Sequence, residues 1–409
     1  MYLSNQFGYY RIMRNFQNKK IAIALLTLLA LLLSNSANAA VKNLNGTACK
    51  RVGALQSIAS KSYICISTGK KLIWTLKEAP SPVAISGPTW IQIDAGKALA
   101  QAKAVEEANA AAEVKAKLAA AAKAAKVEAE RPKIQGLIIG DLLWGDDFVG
   151  TQGSVIDQKN WTARNCHRTP ESFGGGACFD TEANYYAPSA VKLDGSTDGA
   201  AVITTSRITG AVPSDAGQCL TNVCAFTSGR FDTQGKVSFQ YGFIEARIKM
   251  PAGSGNHPAF WMLGNNINQV GWPTSGEMDI TEIHSNDSFT TTSATHNSTS
   301  NLSNTCCWNH FYTVAALGVG ADVSAGFHTY AVAWLPDSIS YYVDGRFIST
   351  TTPQTLGGYW SFNEKFFVIL NNAVNSSFSG SWADLQSSTM TIDWVRSYQL
   401  NSQGQVFTK

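Results

Sequence analysis

The chain has 409 residues, enough for one large domain with smaller parts attached. Aromatics make up 11% of it and charged residues only 15%, a balance that suits an all-β protein handling polar, uncharged ligands such as sugars. Lys and Arg number 32 against 29 Asp and Glu, and removing the N-terminal leader described next lowers the basic count to 28; this near-neutral total argues against a nucleic-acid or anionic-membrane partner.

Residues 1–39 read as a secretory signal peptide, with Met13 as an alternative start. Arg11, Arg14, Lys19 and Lys20 precede the apolar run Ile21–Leu33, which only Thr27 interrupts. The run is too short for a membrane span, which needs roughly 20 residues. Ala37-Asn38-Ala39 is a small-x-small cleavage site that places the cut before Ala40. The expectation is a secreted, extracellular monomer with no membrane contact after cleavage.

Eight Cys follow the leader, and an even count in an exported chain implies disulfides. Cys49 with Cys65 would close a small N-terminal module, residues 40–93. Such a module is too small to bury much core without a staple. Cys166 with Cys178 and Cys219 with Cys224 would close short loops further on. Cys306 and Cys307 are adjacent and pair either with each other, in a strained bridge, or with other partners.

Residues 94–135 form an Ala-rich stretch with scattered Lys, Glu and Gln, free of Gly and Pro between Lys97 and Arg131. These are strong helix formers. About 35 residues would make a helix of roughly 50 Å. Without a heptad stripe of Leu or Ile it reads as a semi-rigid spacer, ended by Pro132.

Residues 136–409 change texture to short alternating strands separated by Gly, Asn, Asp and Ser. Val237–Met250 reads as a strand pair, and His328–Leu335, Ser338–Val343 and Thr389–Gln399 read as strands. Pro336-Asp337 and Asp344-Gly345 are turn signals. Many short strands with frequent turns predict a two-sheet β-sandwich.

One segment carries chemistry. Glycoside hydrolysis uses two carboxyl groups flanking the scissile bond and needs no cofactor. The run Gly276-Glu277-Met278-Asp279-Ile280-Thr281-Glu282-Ile283 holds three carboxylates among apolar and β-branched residues. As a strand it puts Glu277 and Asp279 on one face and Met278 and Ile280 on the other. Glu282, five positions after Glu277, would point the wrong way in a regular strand, so the spacing predicts a β-bulge near Ile280-Thr281. Asp279 is placed to share a proton or hydrogen bond with Glu277 and to help keep Glu282 protonated.

The segment resembles the catalytic strand of glycoside hydrolase family 16, in the bulged form typical of laminarinase-like endo-β-1,3-glucanases. Further segments match from about Leu142 to Gln399, among them Thr227–Arg230, Tyr241–Lys249, His257–Leu263, Gly271-Trp272-Pro273, Phe327–Tyr330, Trp334–Asp337, Phe367–Asn371 and Ile392–Arg396. The resemblance implies a concanavalin-like β-jelly roll in residues 136–409, with a sugar cleft across its concave sheet. It implies Glu277 as nucleophile, Glu282 as general acid/base and Asp279 as assisting carboxylate. It places Trp261, Trp272, His296 and Arg230 against the sugar chain, and Asp147 and Asp393 at a structural calcium. The implied activity is hydrolysis of internal β-1,3 or mixed β-1,3/1,4 linkages of β-glucan. A galactan-active or transglycosylating relative, or a non-catalytic glucan-binding protein, are the alternatives. The chain departs from the family pattern at Asp146-Asp147-Phe148, after His296, and at Asn372–Ser377.

Overall fold

The computed structural model describes residues 44–58, 61–77, 90–166, 182–219, 224–284, 287–298, 311–312, 322–357 and 359–409. Residues 1–39, read as a signal peptide from the sequence, and Cys178, Cys306 and Cys307 lie outside the described residues. Among the described residues no helix is long and apolar enough to cross a membrane. Contacts divide the chain into two compact units, residues 1–114 and 115–409.

The first unit contains three antiparallel strands, Leu55–Ile58, Lys61–Thr68 and Lys71–Leu76, in that order across the sheet. Among the described side chains of these strands, only Tyr63 and Cys65 are buried. The Cys49–Cys65 disulfide ties the incoming chain to the central strand, supplying the staple that so small a sheet needs. Cys219 pairs with Cys224 in the larger unit, and Cys166 is also disulfide-bonded.

The Ala-rich stretch forms one helix, Trp90–Ala129, which starts four residues before the expected Asp94. Residues 98–125 are exposed, as a spacer's would be. The last turns behave differently. Val127 is buried with Phe243, Ala331, Tyr342, Tyr398 and Leu400 of the larger unit. Just beyond the helix, Glu130 accepts from Arg396 Nη1 at 2.8 Å, and Lys123 Nζ lies 2.7 Å from Asp147 Oδ2.

The larger unit is a β-sandwich. Among the described residues, one sheet has nine strands and the other ten. The pairings are antiparallel except between Asn184–Tyr186 and Phe226–Ser228. The sheets face each other through one core, because alternate residues of each strand point inward. Phe260, Met262, Met278, Ile280, Val368 and Leu370 enter it from the first sheet, and Ile244, Ala246, Val332, Trp334 and Ile392 from the second. The strands His328–Leu335 and Ser338–Val343 fall as the alternation predicts, and Ser387–Leu400 contains the last predicted one. Val237–Met250 differs from its sequence reading. Its two strands, Val237–Gln240 and Gly242–Lys249, do not pair but belong to opposite sheets. The left-handed pair Tyr241 (φ 59°) and Gly242 (φ 107°) turns the chain from one sheet to the other.

Arg396 is 1% exposed and shared between Glu130 and Asp147. Glu130→Ala leaves that buried guanidinium with one carboxylate, at a cost of about 1–2 kcal/mol. The thermal midpoint should therefore fall by a few degrees, and an unchanged melt would show that the helix end adds nothing to the sandwich.

Candidate active site

The strand Glu277–Glu282 lies inside the first sheet, between Asn256–Gly264 and Thr291–His296. Its register breaks at one point. Trp261 opposes Asp279 and Phe260 opposes Thr281, so Ile280 has no partner. The ladder to Thr291–His296 also shifts between Asp279 and Glu282. This is the predicted bulge. Met278 and Ile280 point into the core, while Glu277, Asp279 and Glu282 line a common cavity of about 300 Å³.

Gly276 delivers the chain into this strand with φ +79°, and a Cβ there would come within 2.9 Å of Phe366. Trp272 Nε1 donates to Glu277 Oε2 at 2.8 Å. His296 is the cross-strand partner of Glu277, and its Nε2 lies 2.9 Å from Asp279 Oδ2, so it sits beside both carboxyl groups. Glu277 and Asp279 are hydrogen-bonded to each other. Glu282 is partly open, and His257 Nε2 lies 3.0 Å from its Oε1.

The other resemblance residues also reach the cavity, though mainly as its floor. Trp261 is 6% exposed and donates through Nε1 to Asn371 Oδ1 at 2.7 Å. Arg230 is 2% exposed, with its guanidinium 5.1 Å from the Trp261 ring centroid. Ladder pairing explains this convergence. Arg230, Asn371, Ala259 and Glu282 form one cross-strand row, and residues in a row project from the same face.

Several cavity residues were missed by sequence reasoning: Glu182, His257, His284, Asn371, Asn375 and Phe378. His257 was readable, because it lies two and four positions before Ala259 and Trp261 and so shares their face. Asn371 was readable only with the register known. Glu182 and Phe378 come from segments beside the sheet, where no periodicity marks them. Phe378 sits on the short helical turn Ser376–Ser379, stacked on His257 with ring centroids 5.2 Å apart. His284 Nδ1 donates to the Phe378 carbonyl at 2.8 Å.

The carboxyl groups do not titrate alike. Burial raises Glu277 well above the usual carboxylate range, and the charge of Asp279 adds to this. Burial also raises Asp279, with the charge of Glu282 next in weight. Burial pushes Glu282 upward too, but the contact and charge of His257, with His296 and His284 behind it, outweigh burial and hold it below its ordinary value. The strand thus shifts Glu277 and Asp279 in one direction and Glu282 in the other. Deeper in the wall, burial lifts Glu182 to about 7 against the pull of Arg230 and a hydrogen bond from Tyr186.

The chain resembles known proteins in both sequence and fold. Residues 191–396 match the family model described as Glycosyl hydrolases family 16. A glucan endo-1,3-beta-glucosidase A1 of Niallia circulans is 28% identical over 283 residues, covering 66% of this chain and 39% of that protein. The chain thus spans well under half the length of that relative. A beta-glucanase of Rhodothermus marinus is 26% identical over 272 residues, covering 63% of this chain and 85% of its own length. Among solved structures, the endo-beta-1,3-glucanase of Pyrococcus furiosus superposes with a TM-score of 0.55 at 31% identity, covering 66% of this chain and 98% of that one.

The calcium ligands implied by resemblance stand apart from the cleft residues, and their surroundings do not fit a calcium ion. Asp147 receives Lys123 and Arg396, and Asp393 is paired with Arg247. Each carboxylate already faces a cation, whereas calcium needs several oxygen ligands turned toward one point. Lys123, on the Ala-rich helix, could not be anticipated from a pattern confined to the sandwich. Thermal unfolding should be the same in excess EDTA and in excess calcium chloride. A midpoint that rises with calcium would restore the ion to this site.

Proposed function

The chain belongs to glycosyl hydrolase family 16, and from this premise we propose that it hydrolyses internal β-1,3 linkages of β-glucan, with mixed β-1,3/1,4-glucan as a further substrate, by a retaining double displacement. The reading is carried by one observation: three carboxyl groups of a single bulged strand converge on one cleft beside Trp272 and His296.

In this reading Glu277 attacks the anomeric carbon and forms a glycosyl ester as the glycosidic bond breaks. Glu282 gives its proton to the departing oxygen, then takes one from the water that cleaves the ester. Trp272 Nε1 orients the attacking carboxylate. Asp279, hydrogen-bonded to Glu277, takes up the proton that Glu277 must release before it attacks. Glu282 must be protonated at the first step, yet the charge of His257 opposes this. Burial of Glu282 acts in the opposite direction and favours its acid form. The buried floor of Trp261 and Ala259 offers an apolar surface to the C–H face of a sugar.

The galactan and transglycosylase alternatives are tested by product analysis on laminarin, lichenan and agarose with water as acceptor. Laminarin and lichenan should yield oligosaccharides, with the β-anomer appearing first by NMR. Cleavage of agarose alone would refute the glucan assignment, and a first-formed α-anomer would refute retention. Glu277→Gln should lower kcat by at least about a thousandfold while laminarin oligosaccharides still bind. Unchanged turnover would remove Glu277 from the nucleophile's role.

The pH profile offers a separate check. A general acid works only while protonated, so activity falls as pH rises through its pKa. His257→Ala removes the neighbour that holds Glu282 down. The alkaline limb of kcat/KM should therefore move to higher pH, and a uniform loss with an unmoved limb would mean that His257 serves packing alone.

A further inference from the structure

The near-zero total charge conceals a sorting of charges along the chain. Beyond residues 1–39, seven of the remaining 28 Lys and Arg fall in residues 40–77 and none of the 29 Asp and Glu does, which leaves 21 cations against 29 carboxylates in residues 78–409. A sign asymmetry of this kind points to an interaction surface for the opposite charge. In the described part of the first unit, Lys50, Arg51, Lys61, Lys70, Lys71 and Lys77 are all exposed. None of the six forms an ion pair among the described residues.

The small sheet determines where these cations gather. Thr68 opposes Lys71 across the tight Gly69-Lys70 turn. Cys49 N donates to Leu72 O at 3.1 Å, which brings Lys50 and Arg51 to the same hairpin end. Lys61 opposes Ile58 at the other end of the central strand, where Lys77 N donates to Ser62 O at 2.8 Å. At roughly 3.3 Å per residue the two groups lie about 23 Å apart along the strand. Four cations thus sit together at one end of the module and two at the other.

We propose that this N-terminal module binds a polyanionic polysaccharide, with Lys50, Arg51, Lys70 and Lys71 as its principal contacts. A single small anion would occupy one cluster, whereas charges spread along a strand suit a polymer with repeated negative groups. Single-stranded nucleic acid is gripped by exposed aromatic platforms as well as cations, and interfacial membrane binders set Trp or Phe beside theirs. Here Tyr63 is buried and Trp74 half-buried. Exposed hydroxyls at Ser57, Ser62, Ser67 and Thr68 add hydrogen-bonding groups suited to sugars. The remaining chain carries excess negative charge, so an anionic matrix around a neutral glucan would repel it. The basic module offsets that repulsion and holds the chain where its substrate is embedded. The binding itself does not depend on the glucanase reading.

The test uses the full chain in affinity electrophoresis through gels containing polygalacturonate, dextran sulfate or neutral dextran. Retention is expected in both anionic gels and not in dextran, weakening roughly tenfold or more as salt shortens the Debye length from about 10 Å toward 3 Å. Stronger retention by polygalacturonate would assign the contacts to carboxylates, and by dextran sulfate to sulfates; either supports the proposal. The quadruple charge reversal Lys50→Glu, Arg51→Glu, Lys70→Glu and Lys71→Glu should abolish retention while hydrolysis of soluble laminarin is unchanged. Lys→Gln and Arg→Gln at the same positions should weaken it less, and Lys61→Glu with Lys77→Glu less again. Equal retention of the quadruple variant, retention indifferent to salt, or tighter binding to phosphatidylglycerol vesicles or duplex DNA than to both polysaccharides would overturn the proposal.

Discussion

The whole site depends on one unpaired residue in a strand. Ile280 must enter the core with Met278, while Glu277, Asp279 and Glu282 must all face the cleft. A regular strand cannot meet both demands with a five-residue spacing, because its side chains alternate strictly. Without the break, Glu282 would enter the apolar core, where an unpaired carboxylate is costly. The bulge leaves backbone groups without ladder partners, and the neighbouring strand supplies them. Ser293 Oγ donates to Ile280 O at 2.8 Å, and Thr292 Oγ1 donates to Glu282 O at 3.2 Å. Thr281 and Thr291 join through their hydroxyls. The run of Thr and Ser in Thr291–His296 therefore meets the hydrogen-bonding needs of an irregular strand that is buried on both sides.

The same crowding governs the protons. Three carboxyls so close together cannot all ionise cheaply in a dry wall, so they titrate as one set and not as three residues. The side chains that distribute the charge come from adjacent strands: His296 beside Asp279 on one flank, His257 beside Glu282 on the other. Burial and mutual repulsion push Glu277 and Asp279 up, whereas the contact with His257 holds Glu282 down, so a single strand carries carboxyl groups shifted in opposite directions.

Much of this was readable from the sequence, and the parts that were not share a cause. Alternation located His328–Leu335 and Ser338–Val343, and the odd spacing of Glu277 and Glu282 was enough to locate the bulge. Local pattern failed where contacts are distant. Val237–Met250 alternates without a visible break, yet Tyr241 and Gly242 send its halves to opposite sheets. Lys123, Glu130 and Val127 look like the rest of a solvated helix but pack on the sandwich. His257 and Asn371 join the cleft through register, and Glu182 and Phe378 through flanking segments. Trp261 and Arg230 were placed at the cleft by resemblance, but only the structure shows them as a buried floor.

Charge repeats the lesson at larger scale. A total near zero, taken without residues 1–39, argued against a nucleic-acid or anionic-membrane partner. Coulomb attraction is screened beyond about 10 Å at ordinary salt, so a surface senses the charges near it and not the sum over a long chain. Six exposed cations in and beside a three-stranded sheet, with no carboxylate in residues 44–77, give that stretch a positive charge that the whole-chain sum hides. In the sandwich, by contrast, three carboxyl groups of one buried strand share a single cleft, where they act on one another over a few ångströms. The longer-range field belongs to a small module kept folded by a disulfide. A sum of charges over the whole sequence erases that separation, and for that reason composition alone does not reveal the basic module.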